Sequence, residues 1–138
     1  MFKKETEYAL RALVYVCEQH QHEVHPGIIE IATEIKAPQA YTGKILQRLV
    51  KSGLLSSQRG KGGGFFFSES QEKTILKDVV LITEGEKVFS ACGFGLGNCS
   101  DADPCPIHDQ YVRVRNELEA VFGGNSIMDL ARKNKKNF

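Results

Sequence analysis

Three of the four cysteines in this 138-residue chain, Cys92, Cys99 and Cys105, fall within fourteen residues, and His108 follows three positions later. Thiolates and imidazoles are ligands for zinc and for iron–sulfur clusters, and free thiols carry redox chemistry. Structural zinc sites usually hold at least one ligand pair two to four residues apart. The gaps between the cysteines here are six and five residues. Wider gaps suit a loop wrapped around something bulkier than one ion, such as a cluster, and Gly93, Gly95 and Gly97 can turn backbone N–H groups towards cluster sulfurs. Zinc binding and plain redox thiols remain open alternatives. Pro106 suits the first position of a helix, which makes Cys105 the N-cap and His108 the third helical residue. Capping-box geometry would bring those two side chains together, so that Cys105 and His108 share one metal, with the thiolate favoured by the helix dipole.

The other candidates carry less. Cys17 lies among apolar neighbours and reads as a buried, inert thiol. His20, His22 and His25 form a short tract that reads as a solvated loop. A Cys–His catalytic dyad needs an orienting third group and a cleft, and nothing nominates either, so the expectation is a protein that is not an enzyme. The longest apolar run is six residues, Ala12 to Cys17, which excludes a transmembrane helix. Lys3, Lys4, Glu5 and Glu7 leave no room for a signal-peptide core. The chain is expected in the cytoplasm, without a membrane partner, where cysteines serve more often as ligands or reactive thiols than as disulfide staples.

At 15.4 kDa, with 41% hydrophobic and 25% charged residues, the elements that position these groups fit one small domain with an arm. The net charge of +1 hides a segregated pattern. Residues 35–68 hold six bases (Lys36, Lys44, Arg48, Lys51, Arg59, Lys61) and no acid, whereas residues 69–109 hold eight acids against three lysines. Such a cationic block attracts polyanions. Ala9, Ala12, Leu13 and Val16 mark one face of a first helix ending near His20, and Ile28, Ile31, Ala32 and Ile35 mark a second. Lys36-Ala37-Pro38 breaks it. A third helix has Tyr41, Ile45, Leu49 and Val50 inward, Lys44, Gln47, Arg48 and Lys51 outward, and Gly53 as its stop. Two helices joined by a tight turn, the second basic on its outer face, are a helix-turn-helix. Residues 54–59 and 65–68 read as two short strands joined by Gly60-Lys61-Gly62-Gly63-Gly64, a wing whose Arg59 and Lys61 can grip phosphate or enter a minor groove. A short helix spans 75–83. The longest spans 106–122, with Ile107, Tyr111, Val114, Leu118, Val121 and Phe122 near heptad spacing, which marks a dimerisation helix. Ser126 caps a last helix over 127–132, and the tail from Lys133 to Phe138 reads as frayed.

The fold class expected is therefore mainly α with a small β-hairpin wing: a winged helix-turn-helix domain (1–84), a cysteine-rich loop (85–105), and a dimerisation helix with its tail (106–138). In this order the pieces resemble the winged-helix regulators typified by the iron–sulfur biogenesis repressor IscR, the nitric oxide sensor NsrR and the cysteine-metabolism regulator CymR. The resemblance covers nearly the whole chain. It is carried by Tyr8-Ala9-Leu10-Arg11-Ala12-Leu13, by Ala40-Tyr41 through Gly53-Leu54, and by Arg59-Gly60-Lys61-Gly62-Gly63-Gly64-Phe65. It implies a homodimeric repressor on a pseudo-palindromic double-stranded DNA operator, with Tyr41, Thr42, Lys44 and Gln47 facing the major groove and Arg59 and Lys61 anchoring the wing. It also implies an iron–sulfur cluster, 2Fe–2S in preference to 4Fe–4S, that senses redox state, iron or nitric oxide through Cys92, Cys99, Cys105 and His108. In the NsrR branch the fourth ligand comes from an acidic residue of the partner subunit, and Glu7 occupies that position here. A zinc-stabilised or thiol-based winged-helix module is the alternative.

Overall fold

The computed structural model describes residues 1–97 and 99–135. Helix α1 (Lys4–His20) is the hub. Its buried face, including Thr6, Ala9, Leu13, Val16 and Cys17, packs against α2 (Ile28–Ile35), α3 (Gln39–Lys51), α4 (Leu76–Glu84) and α6 (Ile127–Lys133). The apolar spacing read from the sequence is the spacing that is buried: Ala9, Ala12, Leu13, Val16, Ile31 and Ile35 are all fully enclosed. Helix α2 ends where expected. Lys36 adopts a left-handed conformation (φ 56°), Ala37 N–H bonds back to the Ala32 carbonyl at 3.0 Å, and Pro38 caps α3. This five-residue return is the Schellman-type stop that sets α3 at an angle to α2.

The wing is a two-stranded antiparallel hairpin, β1 (Ser56–Gln58) and β2 (Gly64–Phe66), with Ser57 opposite Phe65. It is shorter than the two runs of the sequence, and it turns Phe65 and Phe67 into the core. Gly64 is required by close approach. A β-carbon there would lie 2.1 Å from the His25 carbonyl oxygen, and Phe65 N–H donates to the Pro26 carbonyl, so β2 is pinned to the segment before α2. The histidine tract divides accordingly. His22 is exposed, but His25 stacks on Phe66 (centroids 4.7 Å), and His20 pairs with Glu72 at 2.9 Å and meets the edge of Phe67. Two of the three histidines are therefore structural rather than solvated.

Helix α5 (His108–Gly123) begins later than the sequence suggests. The expectation that Pro106 opens the helix with Cys105 as N-cap fails. Residues 105–108 form a turn in which His108 N–H donates to the Cys105 carbonyl at 3.0 Å and Ile107 has φ −111°, ψ 14°. Proline pre-sets the second position of such a type I turn as readily as the first turn of a helix, and the turn wins. Helix α5 packs on α4 and leaves Val114 63% and Val121 55% exposed. Ser126 caps α6 as expected, accepting the Asp129 N–H at 3.0 Å. Ile127 and Ala131 return α6 to the core around α1. Of the tail expected to fray, Lys133 closes α6, Asn134 donates to Glu18 at 2.6 Å, and residues 136–138 lie outside the described residues. Among the described residues no helix is long and apolar enough to cross a membrane.

Candidate DNA interface and cysteine loop

Helix α3 and the wing share one open face. Tyr41, Lys44 and Gln47 are exposed on α3, and Arg59 and Lys61 are exposed at the wing tip. Between helix and wing lies a groove of about 410 Å³ whose lining includes Gln47, Lys51, Ser57 and Arg59. Tyr41 sits at the rim rather than inward, its ring meeting the edge of Tyr8 at 5.7 Å. Thr42 does not belong to this face. It is 1% exposed, and its hydroxyl donates to the Pro38 carbonyl at 2.9 Å. A threonine that bonds its own i−4 carbonyl needs no outside partner and can be buried, which is why its polar type misled. Leu46, absent from the expected stripe, is fully buried. Arg48 is turned away from the groove: it donates to Glu5 at 2.5 Å and to the Ile82 carbonyl at 2.6 Å.

The second site is the irregular loop between α4 and α5. Cys92, Cys99, Cys105 and His108 all line one cavity of about 210 Å³. Among the described residues, no three metal-ligating side chains converge tightly enough to make a preformed single-ion site; the donors surround a space instead. The Cys92 sulfur accepts the Phe94 N–H at 3.4 Å. The backbone N–H groups of Phe94 and Leu96 hold its thiol below the ordinary value, while partial burial, with Cys92 and Cys99 close by, raises Cys105. Of the three glycines the sequence singled out, Gly95 and Gly97 take positive φ (72° and 95°) in this turn, whereas Gly93 does not and is instead fitted closely against the Tyr111 ring.

His108 is 6% exposed and held at both nitrogens. Nδ1 lies 3.1 Å from the Cys99 sulfur and Nε2 lies 2.7 Å from Asp101 Oδ1. Cys105 and His108 line the same cavity, but the sulfur that the His108 ring contacts is that of Cys99. The sequence reading missed Asp101, although a carboxylate in the same loop is the usual anchor for the far nitrogen of a ligating imidazole. The donor chemistry fits an iron–sulfur cluster: three sulfurs, one of them favouring thiolate, and an oriented imidazole around a space larger than one ion. Glu7 sits on the first turns of α1, paired with Lys4 at 3.4 Å, and does not line this cavity within one chain.

A helix-turn-helix with a glycine-rich basic wing defines the class: a winged-helix regulator of transcription. The chain belongs to the Rrf2 family, described as iron-dependent transcriptional regulators, which it matches over residues 2–133. Protein aau3 of Rhizobium meliloti is 31% identical over 131 residues, covering 94% of this chain and 83% of that protein. The HTH-type transcriptional regulator IscR of Xenorhabdus nematophila is 24% identical, covering 91% of this chain and 75% of its own. Among solved structures, CymR, the global cysteine regulator of B. subtilis, superimposes with a TM-score of 0.80 at 18% identity over 98% of both chains. IscR of T. potens gives 0.74 at 16% identity, covering 96% of this chain and 87% of that one. These structures establish the fold, as the sequence led one to expect, and the family makes the chain a transcriptional regulator and not an enzyme.

Proposed function

We propose that this chain is a cytoplasmic, homodimeric repressor whose affinity for DNA is set by an iron–sulfur cluster, 2Fe–2S in form, held by Cys92, Cys99, Cys105 and His108. The observation that carries the reading is the convergence of these four donors on one cavity, with the imidazole buried and oriented by Asp101. When bound, such a group supplies a redox-active, oxygen- and nitric-oxide-sensitive centre. The chain's own residues do the rest. Backbone N–H groups at Cys92 favour the thiolate, Asp101 fixes the His108 ring, and Tyr41, Lys44 and Gln47 meet base edges while Arg59 and Lys61 engage phosphate or the minor groove. The exposed Val114 and Val121 on α5, with Leu118 between them, support pairing of two copies. Two copies would present recognition helices roughly 34–36 Å apart to a pseudo-palindrome.

Anaerobic purification followed by iron and acid-labile sulfide analysis tests the reading. Brown or red protein with iron and sulfide in equal amounts is expected. A colourless protein with neither overturns it. One observation favours the second reading, a thiol-based regulator: Cys92, Cys99 and Cys105 are all free thiols lining one cavity. Colourless protein with three titratable loop thiols would select that alternative, and colourless protein carrying zinc would select a zinc-stabilised one.

A further inference from the structure

Arg48 lies on α3 one turn beyond Lys44, within the basic block that suggests DNA contact. Its guanidinium is nonetheless committed elsewhere. Nη1 donates to Glu5 Oε1, a carboxylate that is largely covered, and Nη2 donates to the Ile82 carbonyl. That carbonyl belongs to the last turn of α4, where helix carbonyls lack intrahelical partners. The same turn is gripped from α1: Lys3 Nζ reaches the Thr83 carbonyl at 3.4 Å, Lys3 N–H reaches Glu84 at 2.8 Å, and Thr6 bonds both Thr83 (2.7 Å) and Glu84 (2.5 Å). Gly85 (φ 102°) follows directly, and Cys92 is seven residues further on.

We propose that Arg48 is a positioning residue that ties the recognition helix to the stem of the cysteine loop and passes the state of that loop to the DNA-reading face, rather than a contact to DNA phosphate. The inference rests on the regulatory reading above. The planar guanidinium fork fits two acceptors in fixed directions, and its charge-assisted bonds are short and direction-sensitive. A carbonyl shift of about 0.5 Å carries such a bond to the edge of its working range. When the loop rearranges and moves the end of α4, Arg48 therefore either follows and turns α3 or lets go. Those are two discrete arrangements of the element carrying Lys44 and Gln47, which is what coupling between two sites requires. The alternative, a plain structural tie, gives one arrangement and no dependence on the loop.

The test compares full-length wild type, Arg48→Ala, Arg48→Lys and Glu5→Gln, each cluster-loaded and cluster-free. The probe is a fluorescein-labelled duplex selected by the wild-type protein from a random-sequence library. Wild type is expected to change affinity by about tenfold or more between the two forms, and Arg48→Ala to bring that ratio within about twofold. The slope of log affinity against log salt should not change. Arg48→Lys, which keeps the charge without the fork, and Glu5→Gln, which serves if Arg48→Ala does not fold, should fall between. Amide exchange across residues 44–51 should differ between the loaded and cluster-free forms of wild type, and be the same in both forms of Arg48→Ala. A slope lowered by about one unit with both forms weakened equally would make Arg48 a phosphate contact and overturn the proposal. A wild-type ratio preserved in Arg48→Ala overturns it and leaves the regulatory reading standing, whereas a wild-type ratio near one overturns both.

Discussion

The winged domain and the cysteine loop solve opposite problems. Around α1, apolar side chains from α2, α3, α4, α6 and the wing enclose one another, and polar groups such as Thr6, Thr42 and Thr83 are satisfied inside the protein. The loop turns its chemistry inward and its oil outward. Cys92, Cys99, Cys105 and His108 face a cavity, while Phe94 and Leu96 stand 55% and 73% exposed. Its backbone bonds are mostly local, such as Gly95 N–H to Cys92 and Cys92 N–H to Gly97. One region is organised by the burial of its own side chains, the other by donors disposed around a space. Stability is thus kept in the winged domain, and under the proposed function responsiveness falls to the loop.

The largest effects should separate the two regions by stability. Leu13→Ala leaves a cavity in the hub and should cost about 2–5 kcal/mol in urea unfolding, whereas Leu96→Ala should stay within about 0.5 kcal/mol. Equal losses would dissolve the distinction. Thiol reactivity should divide the same way. Burial pushes the Cys17 thiol up to about 11, so in cluster-free protein at neutral pH iodoacetamide should label Cys92 about a hundredfold faster than Cys17, as peptide mass mapping would show. Within the winged domain, Arg59→Ala should weaken binding to all duplex DNA and reduce the salt slope by about one unit. Gln47→Ala should instead change sequence preference, and equal losses on selected and random DNA for both variants would erase that division of labour.

The smallest effect is at α6. Ser126→Ala removes a cap worth about 1 kcal/mol. The Ser126 hydroxyl and N–H hold Asp129 below the usual carboxylate range. A group depressed in the folded state contributes stability above its unfolded value near pH 4 and loses it as pH falls through the folded value. Asp129→Asn should therefore lower stability slightly at neutral pH, flatten the acid limb of a stability profile below about pH 4 and converge with wild type in strong acid.

Much of the winged domain was legible in the sequence because its signals are local. Apolar residues at helical spacing, Pro38 and Gly53 at the breaks, and Gly60 to Gly64 at the wing each act through neighbours in the chain. The misreadings share a different cause. The start of α5 turned on whether Pro106 would open a helix or a turn. Thr42 was buried because its own helix satisfied its hydroxyl; Arg48 is outward as expected, but its partners Glu5 and Ile82 are both distant in sequence. In the loop, the candidate donor types were plain from Cys92 to His108, but which donor meets which depended on how the loop folds back on itself. Asp101 escaped notice because its role exists only once the imidazole is placed.

The central claim, that the loop holds a cluster through three thiolates and His108, is tested most directly by the visible spectrum of anaerobically purified His108→Ala set beside Glu7→Ala. The account predicts that His108→Ala shifts the spectrum and makes the iron labile to a chelator, while Glu7→Ala leaves both as in wild type. A shift on Glu7→Ala with His108→Ala unchanged would contradict it and move the fourth ligand to the partner subunit.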